Sequence, residues 1–490
     1  YKDKPNTECK YDPGGYFIVN GNEKVVISHE RLVENKILVL TKKSSSTGDK
    51  NHPLYYAMVS SKLHTVNSSI QRLTITLKKD ESMVITTPQL GDVPLFLFMR
   101  ALGIEGDDEI TKIIVHDEND LDMMNIVKKS LLKSLAKSNK TISNVNKLIR
   151  TKEEAYEVLI NNIRHYKPYS DTDMDVRKQQ RKMHLSEILE KDILPHIGDN
   201  VVKKARYIGL MAHKLLSCYL GRRELDDRDS YVNKRIDTPG VLIGQLFRQF
   251  FRKMMKECGQ HFDKKTNNNP QEPVNIIDQI KPSTIDQNIR SALLTGSWQQ
   301  AGKKGVSQVL QRLSFLLALS YLRRIISPTN DASTSKVTSI RQVHPIQMFY
   351  LDAIETPEGK NVGLVKTLAL TCNITKLSKI QNMRIKGILK SIKDKDIRIK
   401  DILSVSNFED YSKKIRVFLN GDWIGLVKNG YKLVNYLRNL RLSGKIDRSV
   451  SIVYLLDERE IKICCDGGRM IRPLLRVENN NIIVNCKFIE

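Results

Sequence analysis

Three carboxylates between residues 226 and 229 are the first group whose residue types could do chemistry: Asp226, Asp227 and Asp229. A two-metal site for nucleotidyl transfer needs carboxylates that converge on ions about 3.5–4 Å apart, with little competing positive charge. Arg228 lies inside this group, and Lys234 follows it closely. Because such near cations would pair with the carboxylates, the sequence favours ion pairing. An independent nucleotidyltransferase that uses these aspartates remains an alternative.

A loop of glycine and lysine at residues 302–305 is the second candidate, since such loops can bind phosphate. A nucleotide-binding loop needs four residues between its glycines, and a Ser or Thr after its lysine to hold magnesium. Gly296 and Gly302 have five residues between them, and Lys304 stands where that hydroxyl is needed. We therefore reject a nucleotide loop and interpret the segment as a loop that carries two cations.

The third candidate is a short acidic turn, ETPEG, between two apolar runs. Pro357 has a fixed φ and favours an extended Thr356, while Gly359 permits backbone angles that other residues resist. The sequence therefore predicts a rigid turn that presents Glu355 and Glu358. A plain corner between two strands, with solvated glutamates, is the alternative that composition alone favours.

Turn and cap signals predict the elements that position these groups. Asn20-Gly21 predicts a β-hairpin, and Thr151 with Glu154 predicts a capping box. Strand-like stretches lie between residues 54 and 115, where residues 93–103 instead predict a buried helix that ends at a glycine. Helical periodicity covers residues 118–221, and the chain after residue 370 is rich in predicted strands.

Two further helices are predicted in the second half of the chain. Thr238-Pro239 predicts the start of one, in which basic residues recur every four positions: Arg248, Arg252 and Lys256. That row could follow phosphates or could be an ordinary solvated face. The other predicted helix is long and ends at Arg323-Arg324; its apolar stripe is Val306, Val309, Leu310, Leu313, Leu317 and Tyr321.

Length and charge set limits on the class of protein. A chain of 490 residues predicts three or four domains. Its 80 Lys and Arg residues against 55 Asp and Glu residues give a net charge of +25, which predicts a polyanionic partner. No apolar run is long enough for a membrane span, and the seven cysteines form no C-x-x-C pair. We expect an intracellular, reduced chain without structural zinc, cut from something longer.

One stretch resembles a known family. ETPEG followed by NVGLV, with His344-Pro345 upstream, closely resembles the fork region of the second-largest subunit of multisubunit DNA-dependent RNA polymerases. Further stretches resemble the same subunit in matching order from about Pro13 to Leu475: PGGYF, DDRD, GVSQVL, NGDWIGLV and CDGGRMIRPLLRV. The sequence departs from the family before ETPEG, where residues 351–354 replace the usual Cys-Pro pair.

The resemblance implies an α+β multidomain fold and the N-terminal half of that subunit. The implied domains are the protrusion at residues 1–60 and 223–295, the lobe at 61–222, the fork at 296–370, and external regions at 371–460 and 461–490. The use of Lys, Asn and Ile would fit a large DNA virus, a divergent eukaryote or an archaeon. A nuclear or cytoplasmic location is then expected, or a viral factory or virion if the source is viral.

The resemblance also implies roles for individual residues. Residues at matching positions would face nucleic acid: Lys303, Lys304, Ser307, Gln308, Arg323, Arg324 and Arg341. Glu358 would lie near the nucleotide-addition centre without binding metal, on a turn built by Glu355, Pro357 and Gly359. We expect the helix end at Arg324 and this acidic turn to converge.

The implied activity is template-directed RNA synthesis by a multisubunit polymerase, in which this segment holds template DNA, the RNA–DNA hybrid and the downstream fork. Mg²⁺ would be bound mainly by the largest subunit, so no catalytic or metal-binding residue is expected here, and the segment alone should be inactive. Expected partners are the largest and the smaller polymerase subunits, the DNA template and the nascent RNA, with no membrane. The alternative is a standalone basic scaffold that binds nucleic acid without polymerase partners.

Overall fold

The computed structural model describes residues 11–42, 53–63, 68–137, 149–164, 174–268, 275, 277–298, 305–327, 338–405 and 407–483. Its strands are β1 (Phe17–Val19), β2 (Asn22–Val26), β3 (Ser28–Leu32), β4 (Leu38–Lys42), β5 (Leu54–Ser61), β6 (Gln71–Leu77), β7 (Met83–Thr87), β8 (Gly91–Pro94), β9 (Lys234–Asp237), β10 (Ser307–Val309), β11 (Arg324–Ile326), β12 (Val365–Thr367), β13 (Asn373–Ile374), β14 (Lys400–Asp401), β15 (Ile415–Leu419), β16 (Asp422–Val427), β17 (Ser451–Leu455), β18 (Glu460–Cys464), β19 (Met470–Ile471), β20 (Arg476–Glu478) and β21 (Asn481–Ile483). The α-helices are α1 (Leu95–Ala101), α2 (Asp107–Val115), α3 (Leu121–Lys137), α4 (Lys152–Asn161), α5 (Met174–Glu187), α6 (Val201–Tyr219), α7 (Pro239–Asn268), α8 (Ser283–Thr295), α9 (Phe315–Leu322), α10 (Lys379–Ser391), α11 (Asp410–Lys413) and α12 (Gly430–Leu442). This mixture of separate sheets and helices confirms the α+β multidomain fold.

The chain forms two compact units, and each is built from distant parts of the sequence. The described residues of the first unit lie within Tyr1–Leu32, Asp229–Lys376 and Gly467–Glu490. Those of the second lie within Val33–Arg228 and Leu377–Asp466. The chain therefore leaves the first unit and returns to it twice.

In the first unit two small sheets share the segment around β2 and β3. One sheet has the order β1-β2-β10 and the other β12-β11-β3-β9. The hairpin between β1 and β2 turns at Asn20 and Gly21, whose φ values are 49° and 74°. Both values are positive, as a two-residue hairpin turn of this kind requires, and the predicted hairpin is confirmed.

Helix α7 begins at Pro239 directly after Thr238, as the sequence predicts. Its inner face buries Leu242 and Leu246 against Val26, Trp298 and Val306, which form one cluster of the first unit. Helix α8 packs against it through Ile289 and Leu293. The long helix is therefore held by apolar side chains from strands, a loop and a neighbouring helix.

The second unit has a larger core. Strands β4 to β8 form an antiparallel sheet in sequence order, helices α1 and α6 pack against it, and α2 packs on α6. A second sheet has the order β14-β16-β15-β18-β17 and contributes Phe418 and Trp423 to the same core. Helix α4 begins with the predicted capping box, since Thr151 accepts a hydrogen bond from the Glu154 amide and Glu154 caps in return.

The predicted long helix from Val306 to Arg324 is wrong. Residues 307–309 form strand β10, which pairs antiparallel with β2, and the Ile27 amide donates to the Val306 carbonyl at 2.8 Å. The helix begins only after Ser314, whose hydroxyl accepts a hydrogen bond from the Leu317 amide. Pairing with a distant strand overrides the helical spacing, and Leu313 of the expected apolar stripe is 87 % exposed.

Candidate nucleic-acid interface

The side chain of Thr356 joins the two ends of the acidic turn. Its hydroxyl accepts a hydrogen bond from the Gly363 amide at 2.9 Å and donates one to the Val365 carbonyl at 3.0 Å. Gly359 has a φ of 91°, a backbone region that favours glycine. Glu355 and Glu358 are both exposed. The segment is therefore the predicted tight turn with its two carboxylates presented to solvent.

Helix α9 and the acidic turn lie together, as expected. Ser320 of the helix donates a hydrogen bond to the Glu355 carboxylate. Strand β11 follows the helix and pairs antiparallel with β12, which follows the turn, so that Arg324 lies opposite Thr367. The two segments are thus joined at a side-chain contact and along a strand pair.

Arg341 holds the far side of the same loop. Its Nη1 donates to the Lys360 carbonyl at 2.8 Å and to the Val362 carbonyl at 3.0 Å. Gly363 lies against the Arg341 backbone with a φ of 70°, and a Cβ added there would be 2.2 Å from the Arg341 carbonyl oxygen. Only glycine therefore fits where the loop passes Arg341.

Arg323 is bound to the backbone that follows β12. Its guanidinium donates to the carbonyls of Leu368, Ala369 and Cys372. Burial raises the pKa of the Cys372 thiol to about 11, although the Arg323 charge acts in the opposite direction. The Arg323 side chain thus joins the end of α9 to the segment after β12, and the neighbouring thiol stays protonated.

Arg324 is half-buried, and its guanidinium carbon lies 3.7 Å from the centre of the Tyr321 ring. This is the geometry of a cation–π contact. The contact orients the guanidinium, and its N–H groups need no backbone carbonyl for this. Gln308 lies in β10, where its side-chain amide donates to the Gly305 carbonyl at 3.3 Å. Ser307 is buried, and Lys303 and Lys304 lie outside the described residues.

A buried ion cluster behind the strand pair was missed by sequence reasoning. Glu30 of β3 accepts hydrogen bonds from the Tyr231 hydroxyl at 2.7 Å and from Ser327, and Lys234 lies 3.1 Å from it. Lys366 of β12 donates to the Tyr231 hydroxyl at 2.7 Å and lies 3.5 Å from Glu30. The local signal was charge inside two strand segments: Glu30 and Arg31 in β3, and Lys366 in β12.

The protonation of this cluster follows from its charges. Burial opposes ionisation of Glu30, but Lys366 and Lys234, with hydrogen bonds from Ser327 and Tyr231, lower its pKa to about 2. Burial, together with the charge of Glu30, raises the pKa of Tyr231, so its hydroxyl stays protonated and donates. Burial lowers the pKa of Lys366, while Glu30 acts in the opposite direction. The cluster therefore pairs a buried carboxylate with two cations across β3, β9 and β12.

The hydroxyl of Thr356 gives a direct test of the turn. Replacing Thr356 by valine should cost about 1 kcal/mol of unfolding free energy, because it removes one acceptor and one donor at nearly constant volume. Hydrogen exchange at the Gly363 amide should become faster. Thr356→Ser keeps both hydrogen bonds and should leave the exchange rate near that of the parent protein. Equal exchange rates in the two variants would contradict this role.

Among the aspartates at residues 226–229, Asp226 has both an ion pair and a backbone hydrogen bond. Asp226 pairs with Arg223 at 2.9 Å and accepts a hydrogen bond from the Val39 amide at 2.9 Å. Ion pairing is therefore confirmed for this residue, but its partner is Arg223 and not Lys234, which pairs with Glu30. Among the residues that the structure describes, no three His, Cys, Asp or Glu side chains are gathered as a metal ion would require. Within the same ranges, no helix has the length and hydropathy of a membrane span.

Comparison with known families identifies the class of protein. Three family models match the chain: RNA polymerase Rpb2, domain 2, at residues 33–237; domain 3 at residues 308–374; and domain 4 at residues 417–478. Together they cover more than half of the chain, in the order of their domain numbers. The chain therefore belongs to the Rpb2 family of RNA polymerase subunits, and the acidic turn lies in its third domain.

Individual relatives agree with this assignment. The chain is 40 % identical over 495 residues to DNA-directed RNA polymerase subunit 2 of Acanthamoeba polyphaga mimivirus. The matched region covers 97 % of this chain and 39 % of the relative. It is 33 % identical to DNA-directed RNA polymerase II subunit 2 of Arabidopsis thaliana over 98 % of this chain and 39 % of the relative. It is 32 % identical to subunit Rpo2 of Sulfolobus acidocaldarius over 98 % of this chain and 40 % of the relative. The chain thus spans about two fifths of the length of these curated relatives.

Proposed function

We propose that this chain acts within a DNA-directed RNA polymerase core, where it holds template DNA, the RNA–DNA hybrid and the downstream fork during RNA synthesis. The observation that carries the proposal is that helix α9, which leads into Arg324 of β11, meets the acidic turn, where Ser320 donates a hydrogen bond to Glu355. Both segments lie inside the match to the third Rpb2 domain. The relatives are named as polymerase subunits, which supports the same activity for this protein.

In this proposal the arginines have different tasks. Guanidinium groups bind phosphates without reading the base, which suits a machine that must copy any sequence. Arg324 contacts phosphate directly, because its guanidinium is oriented by the Tyr321 ring and not by backbone carbonyls. Arg323 and Arg341 contribute charge while they hold the loops that present Arg324 and Glu358. Gln308, Lys303 and Lys304 complete the proposed surface, while the buried Ser307 supports it from within β10.

The chemistry itself is assigned to other parts of the complex. Glu358 is exposed at the turn. In this proposal it lies near the nucleotide-addition centre, where its charge acts on neighbouring groups and not as a metal ligand. Mg²⁺ would be bound by the largest subunit, and the two ions there would stabilise the attacking and leaving oxygens. The partners of the chain would be that subunit, the smaller subunits, the template and the transcript. The identity of 40 % to a mimivirus subunit supports a role in viral transcription.

Arg324 gives the sharpest test of nucleic-acid contact. In the assembled polymerase, Arg324→Ala should weaken binding to an RNA–DNA hybrid scaffold, and the slope of log K against log salt should fall by about one, as for the loss of one phosphate contact. Arg324→Lys should keep most of the slope. Arg290→Ala is a matched control, since Arg290 is an exposed arginine of α8 paired with Asp286. An unchanged slope in Arg324→Ala would exclude this contact.

The standalone scaffold, which the net charge of +25 also favours, predicts a different result. A polymerase subunit should co-purify with a second large subunit, whereas a scaffold should bind DNA with a steep salt dependence and bring down no such partner. The isolated chain should extend no primed template with nucleotides and Mg²⁺. Extension by the isolated chain, lost on Asp229→Asn, would favour the independent nucleotidyltransferase instead.

A further inference from the structure

Helix α7 carries a second apolar row besides the one that it buries. Phe247, Phe251 and Met255 are 46 %, 43 % and 52 % exposed, and they recur every four residues. The rings of Phe247 and Phe251 lie 6.0 Å apart and nearly parallel. An amphipathic surface helix normally has one apolar stripe, directed at its core. A second row with this exposure, along roughly 12 Å of helix, is the kind of surface that marks an interaction site.

A row of cations runs beside the apolar row. Arg248, Arg252 and Lys256 each follow one residue after a member of the apolar row, so they lie about 100° further around the helix with the same spacing. Arg252 and Lys256 are exposed, and Arg248 is half-buried. The two rows therefore advance together over two turns of helix. The surface therefore presents an apolar row and, about 100° around the helix axis from it, a parallel row of positive charge.

We propose that this double row is a docking site for an acidic amphipathic helix of a partner protein. A partner helix with leucine-like residues at intervals of three or four and glutamates on the adjacent face would cover the two rings and Met255. Its carboxylates would then lie against the three cations, which gives charge complementarity and a defined register. Methionine adapts to partner side chains of different shape, which suits such a surface. The proposal does not depend on the polymerase function.

The geometry favours a protein helix over single-stranded nucleic acid. Binding of single strands uses aromatic faces on which successive bases stack. Here the two rings already pack against each other as an aromatic pair. The third member of the row is a methionine, which offers no ring. Binding an apolar helix face would therefore bury more of this row, and be more favourable, than stacking of bases on it.

The test uses the full-length protein and a designed probe. The probe is a fluorescein-labelled helical peptide with Leu at intervals of three and four and Glu on the adjacent face, and its binding is followed by fluorescence anisotropy. We expect saturable binding that Phe251→Ser weakens at least tenfold, since central aromatic anchors dominate such interfaces. Arg252→Gln should weaken it two- to threefold and reduce its salt dependence.

Controls distinguish specific docking from loss of the fold and from non-specific hydrophobic binding. Met255→Ser should weaken binding as Phe251→Ser does, and Leu132→Ser should not, since Leu132 is a 65 % exposed residue of α3 outside the row. Unchanged circular dichroism of each variant shows that the helix persists. Absent binding, or equal binding of a peptide with scrambled sequence, overturns the proposal. Competition by oligo-dT, with loss of oligo-dT binding in Phe251→Ser, would assign the row to single-stranded nucleic acid.

Discussion

Replacing Lys366 by methionine should lower the unfolding free energy by about 3–5 kcal/mol, because it leaves the Glu30 carboxylate buried with one of its two cations removed. Glu30 is 4 % exposed and Lys366 is 7 % exposed, so water cannot take the place of the missing ammonium. Lys366 also donates to the Tyr231 hydroxyl, and that bond is lost as well. Urea unfolding at pH 7, followed by circular dichroism, measures the change.

Two further variants test whether the loss comes from the interaction between Lys366 and Glu30. Lys390→Met removes an exposed lysine of α10 and should change the unfolding free energy by less than about 0.5 kcal/mol. The double variant Glu30→Gln with Lys366→Met should lose less than the sum of the two single losses, because the residues interact directly. Additive losses would show that the two charges do not stabilise each other, and the cluster would then have no role as a unit.

The same cluster predicts a pH dependence. The pKa of Glu30 is lowered in the folded protein to about 2, below its ordinary value of 4.5. A carboxyl group with a lowered pKa stabilises the fold above its unfolded pKa, and the contribution is lost as pH falls from about 4.5 toward 2. In Lys366→Met the pKa of Glu30 should rise, so less stability remains to be lost in this range. A parent protein and variant with parallel stability curves between pH 5 and pH 3 would contradict the assignment.

Gly363→Ala is expected to have the second large effect, and this one acts on the loop itself. The added Cβ would lie 2.2 Å from the Arg341 carbonyl oxygen, which belongs to backbone and cannot rotate away. The φ of 70° adds strain of about 1–3 kcal/mol for a non-glycine residue. We expect the loop to shift, so that the Thr356 and Arg341 hydrogen bonds weaken together. Hydrogen exchange across residues 356–365 should increase at least tenfold.

Gly359→Ala is the matched control for this variant. Gly359 also has a positive φ, of 91°, but a Cβ there would meet nothing within 4 Å. It therefore carries the backbone strain without the collision. If the proposed function holds, Gly363→Ala should also lower transcript extension by the assembled polymerase far more than Gly359→Ala does. Equal exchange rates in both variants would mean that backbone strain alone governs the loop.

Much of the local structure followed from the sequence, because its causes are local. The Asn20-Gly21 hairpin, the Thr151–Glu154 capping box and the start of α7 at Pro239 each depend on residues within a few positions. The acidic turn was predicted for the same reason, since Pro357 and Gly359 restrict their own backbone. The boundaries proposed for the protrusion, lobe and fork stay predictions.

Non-local pairing decided what the sequence could not. Residues 307–309 have apolar spacing compatible with a helix, yet they form a strand because β2, far away in the sequence, offers backbone partners. The predicted interface residues are likewise divided by tertiary contacts. Arg323 and Arg341 bind backbone carbonyls, whereas Arg324 lies on an aromatic ring. The carbonyl partners of Arg323 and Arg341 lie 19 to 49 positions away along the chain, so no local pattern predicts them, whereas Tyr321 is only three residues from Arg324.

The sequence by itself determined the family, the net charge of +25, the acidic turn and the helices that begin at strong caps, because each of these depends on residue types or on neighbours along the chain. Only the tertiary structure brought Glu30, Tyr231, Ser327 and Lys366 into one buried cluster and joined Ser320 to Glu355. The physical reason is that a buried charge is tolerated only where opposite charge and hydrogen bonds meet it. Those partners come from segments that folding, and not sequence distance, places together.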